Sequence, residues 1–265
     1  MTNSRQEPIT IYENGRERVA SHDLIVEEPL SIRIDGEPYS LVMRSPGEEK
    51  AHVAGFCLSE GIIEDAGDIQ TISFCEEAGI NVATVTLRPE RHRKIASILN
   101  RRGFISQTSC GICGKEMAKD IRQMLTPAET TAQVRVDALL ACVQKLSDHQ
   151  ALHQKTRSAH AAMLFDENLS PLSVSEDVGR HNAIDKAIGH VLLDGKLDTA
   201  CLGIMSSRLS YELVQKAARA RMGLLIGISR PTSLAVDLAR SVNMTLGFAR
   251  NHRLMVFCGQ QRLIL

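Results

Sequence analysis

Apolar and β-branched residues cluster in short runs at residues 19–27 (VASHDLIVE), 30–34 (LSIRI) and 37–44 (EPYSLVMR). Runs of this length and composition predict three strands. Asp35-Gly36, between the last two, is a strong hairpin signal. Over 48–60 the spacing becomes helical, with Ala51, Ala54, Phe56 and Leu58 on one stripe and Gly61 as the stop. Two more strands are expected at 69–75 and 80–87, then a short helix near 92–101. The first third therefore reads as β-rich.

Periodicity breaks between Gly103 and Gly114, where GFISQTSCGICG is small, polar and Gly-rich. An exposed, mobile loop is expected there, with a helix resuming at 115–125 and a boundary near Pro127. The second half alternates. Helices are expected at 136–154, 181–193, 209–222 and 233–244. Strands are expected at 158–165, 171–176, 200–205, 224–228, 245–249 and 253–258. Alternation of this kind predicts an α/β layered domain. The expected organisation is α+β overall: a β-rich N-terminal domain (1–103), the loop and its connecting helix (104–128), and an α/β domain (129–265).

Composition narrows this picture. Hydrophobic residues make up 43% of the chain and aromatic residues 3%, with no Trp, so the core must be aliphatic. Lys plus Arg and Asp plus Glu are 31 each, so no global field points to nucleic acid or membrane. No apolar run reaches membrane-span length, and MTNSRQEPIT has no apolar leader core. A cytoplasmic protein is the default expectation.

The seven cysteines are scattered except for Cys110 and Cys113. Two thiols at a loop-to-helix junction can share one chemical task. The helix N-terminus beyond Gly114 and the charge of Lys115 both favour thiolate, the nucleophilic form. Three readings fit the pair: a structural zinc site, a thioredoxin-type redox couple, and a persulfide carrier. Zinc wants a second ligand pair, and there is no second CxxC. A redox couple should follow a strand in a βαβ unit. Spacing alone leaves the three level.

The surrounding residues carry more. QTSCGICGKE (107–116), EDVGRHNAIDK (176–186), SSRLSYELVQKAARA (206–220) and SRPTSLAVDLA (229–239) stand in the same order and at similar intervals as in the FdhD family. The chain resembles these formate dehydrogenase accessory sulfurtransferases from about residue 20 to its end. The resemblance implies a persulfide received from a cysteine desulfurase. It implies delivery to the molybdenum bis(molybdopterin guanine dinucleotide) cofactor that formate dehydrogenase needs for activity. It also implies a homodimer and a cytidine deaminase-like, three-layer, cofactor-binding C-terminal domain over 129–265. Cys110 would bear the persulfide, with Cys113 as its helper. No metal ligands are assigned, since the H-x-E and P-C-x-x-C sequences of zinc deaminases are absent.

A bulky anionic cofactor needs N–H groups, helix N-termini and cations. Strand-to-helix junctions offer these at Ser206, Ser207 and Arg208, and at Ser229, Arg230 and Thr232. FARNHR (248–253) reads by itself as a solvated hairpin turn. The resemblance makes Phe248, Ala249, Arg250, Asn251, His252 and Arg253 the guanine-dinucleotide contact, which GDP-like nucleotides would mimic. In EDVGRHNAIDK, Asp177 and Asn182 could simply cap a helix. Six polar residues crowded into ten positions instead suggest a pocket wall, with Asp177, His181, Asn182 and Asp185 facing the cofactor.

Overall fold

The computed structural model describes residues 2–102, 125, 127–128 and 133–265. Cys110, Cys113 and nearly all of the expected 104–128 segment lie outside the described residues. The chain opens with β1 (Ser4–Glu13) and β2 (Arg16–Ile25), an antiparallel ribbon. Its turn is Asn14-Gly15, with φ of 51° and 72°. Such a pair fits the mirror-image turn that matches strand twist. The β1 strand escaped the hydrophobic pattern because Pro8 and alternating charges interrupt it, although Asn-Gly announces the turn. Next come β3 (Glu28–Ile34), β4 (Glu37–Arg44), α1 (Glu49–Ser59), β5 (Ile69–Glu77), β6 (Ile80–Leu87) and α2 (Pro89–Arg102). The four strands form one sheet in the order β4-β3-β6-β5, with β3 and β6 parallel.

The second half contains β7 (Val134–Arg135), α3 (Val136–Asp148), α4 (Ala151–Thr156), β8 (His160–Phe165), β9 (Pro171–Asp177) and α5 (Arg180–Leu193). It continues with β10 (Leu202–Met205), α6 (Tyr211–Arg219), β11 (Leu224–Gly227), α7 (Ser233–Ser241), β12 (Thr245–Arg250), β13 (Arg253–Cys258) and β14 (Leu263–Ile264). The single helix expected at 136–154 is two helices. The first ends at His149, whose N–H donates to Leu146 O and whose ring Nδ1 lies 2.7 Å from Lys145 O.

Six strands make the central sheet in the order β13-β12-β11-β10-β8-β9. Its middle strands β10, β11 and β12 are parallel, and β8, β9 and β13 join antiparallel. Strands β8, β10 and β11 are apolar on both faces, as a doubly covered sheet requires. Ala161, Met163, Phe165, Leu202, Ile204, Leu224 and Ile226 pack with Leu139, Cys142 and Leu146 of α3. Ala162, Leu164, Met205, Leu225 and Leu246 face the opposite way, onto α5, α6 and α7. The architecture is thus helix, sheet, helix. The larger core also takes in Leu30, Ile32 and Ile34 of β3 and Val53, Phe56 and Leu58 of α1.

The first half meets the second where α1 crosses α5 at backbone contact. A Cβ on Gly55 would lie 1.8 Å from Asp185 O, and one on Gly189 would lie 1.7 Å from Ala51 O. Only glycine fits either position. Among the described residues, no helix is long and apolar enough to cross a membrane.

Candidate functional site

Because β10, β11 and β12 run parallel, their carboxyl ends fall on one edge of the sheet. Register aligns Met205 with Gly227 and Gly227 with Phe248. On the other side of β10, Ala162 pairs with Met205, and His160 near it pairs with Asp177 at the end of β9. The edge therefore gathers the 177–182 turn, Ser206–Arg208, Ser229–Arg230 and the start of the 250–253 turn. This is where α/β sheets hold ligands, and where sequence reasoning placed the cofactor residues.

Their availability differs. Asp177 is fully buried. Its carboxylate accepts from Ser45 N (3.0 Å), Gly179 N (2.8 Å) and Asn182 Nδ2 (2.8 Å), and pairs with Lys186 Nζ at 2.8 Å. Asn182 Nδ2 also donates to Met43 O at 2.7 Å. Asp185 accepts from Ser59 Oγ (2.6 Å) and from Lys216 Nζ at 2.9 and 2.7 Å. Burial pushes its carboxyl up, against the pull of Lys216. Asp177, Asn182 and Asp185 were expected to face a ligand; in the structure all three are buried against protein partners. They face inward, and their polar atoms are committed to protein partners.

Ser206 and Ser207 also serve the fold. Ser206 Oγ accepts from Ala161 N at 2.7 Å, and buried Ser207 donates to Arg208 O at 3.1 Å. Phe248 and Ala249 are 8% and 1% exposed, so their side chains point into the protein. Thr232 caps α7 by accepting from Ala235 N at 3.2 Å. Its own N–H donates to Leu209 O at 3.0 Å, lacing the 229–232 loop to the 206–210 loop.

What stays open is cationic. Arg208, Arg230, Arg250, Asn251, His252 and Arg253 are exposed, and Ser229 is half-buried. Arg250 and Arg253 pair across the β12–β13 turn. Asn251 and His252 both take positive φ, 50° and 57°. Asn tolerates that region through its short polar side chain, whereas the second position is one glycine would relax. His181 and Arg180 stand on the first turn of α5, which has no acidic residue there. Arg180 Nε is buried and has no hydrogen-bond partner among the described residues. His181 Nε2 lies 3.4 Å from Ser210 Oγ and 3.8 Å from Glu212 Oε2. Burial, helped by the charges of Lys216 and Arg180, pulls its ring down to about 4, so it is neutral near pH 7. His160 is pulled down the same way, by burial and then by Arg180.

Sequence reasoning missed Ser45, His160 and Arg44. Ser45 reads as an ordinary turn residue in Ser-Pro-Gly, and nothing local marks its partners 132 and more residues away. Arg44 is fully buried against Glu28 (3.5 Å) and Glu49 (3.2 Å), an ion-pair arrangement invisible to strand periodicity. Among the described residues, no cluster of His, Cys, Asp and Glu could hold a metal ion.

A three-layer arrangement with basic turns on the carboxyl edge of its parallel strands defines a class of α/β protein, one whose edge is a common place for anionic ligands. Within that class, the chain belongs to the FdhD/NarQ family, whose profile matches residues 25–264. It is 38% identical over 253 residues to the sulfur carrier protein FdhD of Streptomyces coelicolor, covering 91% of this chain and 89% of that protein. To the protein of the same name from Nocardia farcinica it is 39% identical over 248 residues, covering 91% and 88%. The crystal structure of a Desulfotalea psychrophila protein, described as a formate dehydrogenase accessory protein, shares the fold. Its TM-score is 0.79 at 21% identity, over 99% of this chain and 100% of that one.

Proposed function

We propose that this protein is a sulfur carrier and sulfurtransferase. It takes sulfur from a cysteine desulfurase as a persulfide on Cys110, assisted by Cys113. It passes that sulfur to molybdenum bis(molybdopterin guanine dinucleotide) on behalf of a formate dehydrogenase. The first step is a thiol displacement: the Cys110 thiolate attacks the terminal sulfur of the donor persulfide, that sulfur–sulfur bond breaks, and the donor cysteine leaves as thiolate. Family membership carries this reading, since the matched relatives are sulfur carrier proteins.

The edge chemistry supports the acceptor. Two phosphate bridges call for cations that are free to turn outward. Arg208, Arg230, Arg250 and Arg253 are exposed, and Arg180 Nε has no hydrogen-bond partner among the described residues. The molybdenum cofactor is a substrate in this account, bound through its nucleotide end. The helix–sheet–helix layering supports the cytidine deaminase-like reading of residues 129–265. A cytoplasmic homodimer is part of the same proposal.

Incubation with a cysteine desulfurase and cysteine, followed by peptide mass spectrometry, should add one sulfur to the peptide spanning 104–115. Full activity of Cys110→Ala with an unmodified peptide would overturn the mechanism. A dithiol oxidoreductase would instead cycle a Cys110–Cys113 disulfide and ignore GDP.

A further inference from the structure

Ser45 leaves β4 and meets the 177–186 segment with every polar group it has. Its N–H donates to Asp177 Oδ2 at 3.0 Å. Its Oγ accepts from Val178 N at 3.0 Å. Its carbonyl accepts from Lys186 Nζ at 2.9 Å. Two residues earlier, Met43 O accepts from Asn182 Nδ2 at 2.7 Å. Ser45 is 1% exposed, so water cannot replace these bonds. Together they hold the chain on both sides of Gly179. The turn is closely packed, since a Cβ on Gly179 would lie 2.8 Å from Asn182 Nδ2, itself held by Met43 O and Asp177. The consequence is a fixed first turn of α5, which presents Arg180 and His181 to the edge.

We propose that Ser45 is a positioning residue for the edge site: the β4–α1 junction sets the first turn of α5, and thereby the affinity for a guanine nucleotide. This rests on the reading above that the edge binds the nucleotide end of the cofactor. Ser45 acts from behind, through Val178 and Asp177. The hydroxyl is the part that substitution can remove without disturbing the backbone bonds.

The test compares Ser45→Ala with Ser173→Ala. The second removes an equivalent hydroxyl bond, from Ser173 Oγ to Ala187 O (2.9 Å), at the same β9–α5 interface but away from the first turn. Two quantities are read in the full-length protein. One is GDP affinity by calorimetric titration. The other is the His181 ring titration by NMR, which burial sets first and the charges of Lys216, Arg180, Glu212 and His160 then adjust. Ser45→Ala should bind GDP about fivefold more weakly, and its His181 titration should rise toward the ordinary histidine range. Ser173→Ala should match the wild type in both. A wild-type-like Ser45→Ala, or equal changes in both variants, would overturn the proposal. A wild-type protein that ignores GDP would instead overturn the nucleotide reading, and the His181 titration would still decide whether Ser45 sets the turn.

Discussion

Asp185 and Arg250 were both expected to touch the cofactor, and the structure separates them. Asp185 sits where α1, α5 and α6 converge, 1% exposed and bound to Ser59 and Lys216. Arg250 stands at the mouth of the β12–β13 turn, exposed to water. Charged residues serve both regions, but for opposite reasons. At the helix junction the charges are matched inside and fix the geometry. At the strand edge they are left unmatched among the described residues, which suits a ligand that brings its own negative charge. A polar cluster in a sequence thus has two explanations, and the deciding fact is whether its partners lie elsewhere in the chain.

The sharpest way to break the contrast is to part the helices. Gly189→Ala drives a methyl into Ala51 O, a backbone atom that cannot turn aside. Thermal unfolding should show a loss of about 3 kcal/mol or more. A variant as stable as the wild type would show that the crossing is looser than described.

Removing one buried charge comes next. Lys216→Met leaves Asp185 ionisable without its cation, and should lower stability in urea titrations by about 3 kcal/mol. The double variant Lys216→Met/Asp185→Leu should recover much of that loss, because no orphaned charge remains. A double variant no better than the single would mean that the pair does more than neutralise itself.

A smaller effect follows from histidine titration. His181 is held near 4, and His52, buried among Lys186, Lys216 and Arg44, is also held well below the ordinary value, by burial first. For both, the unfolded chain takes up the proton first. Their contribution is intact above about pH 6.5 and falls as pH drops toward 4. His190 has the opposite sign, since its hydrogen bond with Glu48 raises it. Its contribution is present below about pH 6.5 and is lost as pH climbs through the raised value. Urea midpoints across this range should show His181→Gln flattening the acid limb and His190→Gln the alkaline one. Unchanged limbs in both variants would contradict these placements.

Most of the fold was legible in the sequence, because period-two and helical spacing report burial directly. Strands 80–87 and 253–258 match the observed β6 and β13, and α5 begins within a residue of its expected start. The β1 strand was hidden by Pro8, and the α3–α4 break by apolar spacing that continues through it. The edge was legible as a place, since strand ends followed by Ser and Arg mark it. Division of labour within it was not. Asp177 and His181 lie four residues apart in one motif, yet one is fully buried on Ser45 and Lys186 and the other is half-buried beside Ser210 and Glu212. The tie to Ser45 reaches across 132 residues, and no local pattern encodes it.

Under the proposed function, the open cations of the edge bind a guanine nucleotide while the buried ones hold the fold. Titrating GDP into the wild type and into Arg250→Ala/Arg253→Ala tests it most directly. Both arginines are exposed, so stability should change by no more than about 0.5 kcal/mol. GDP affinity should fall about tenfold or more, from two lost charge-assisted contacts. An equal affinity in the two proteins, with the wild type binding GDP, would place the nucleotide away from these arginines.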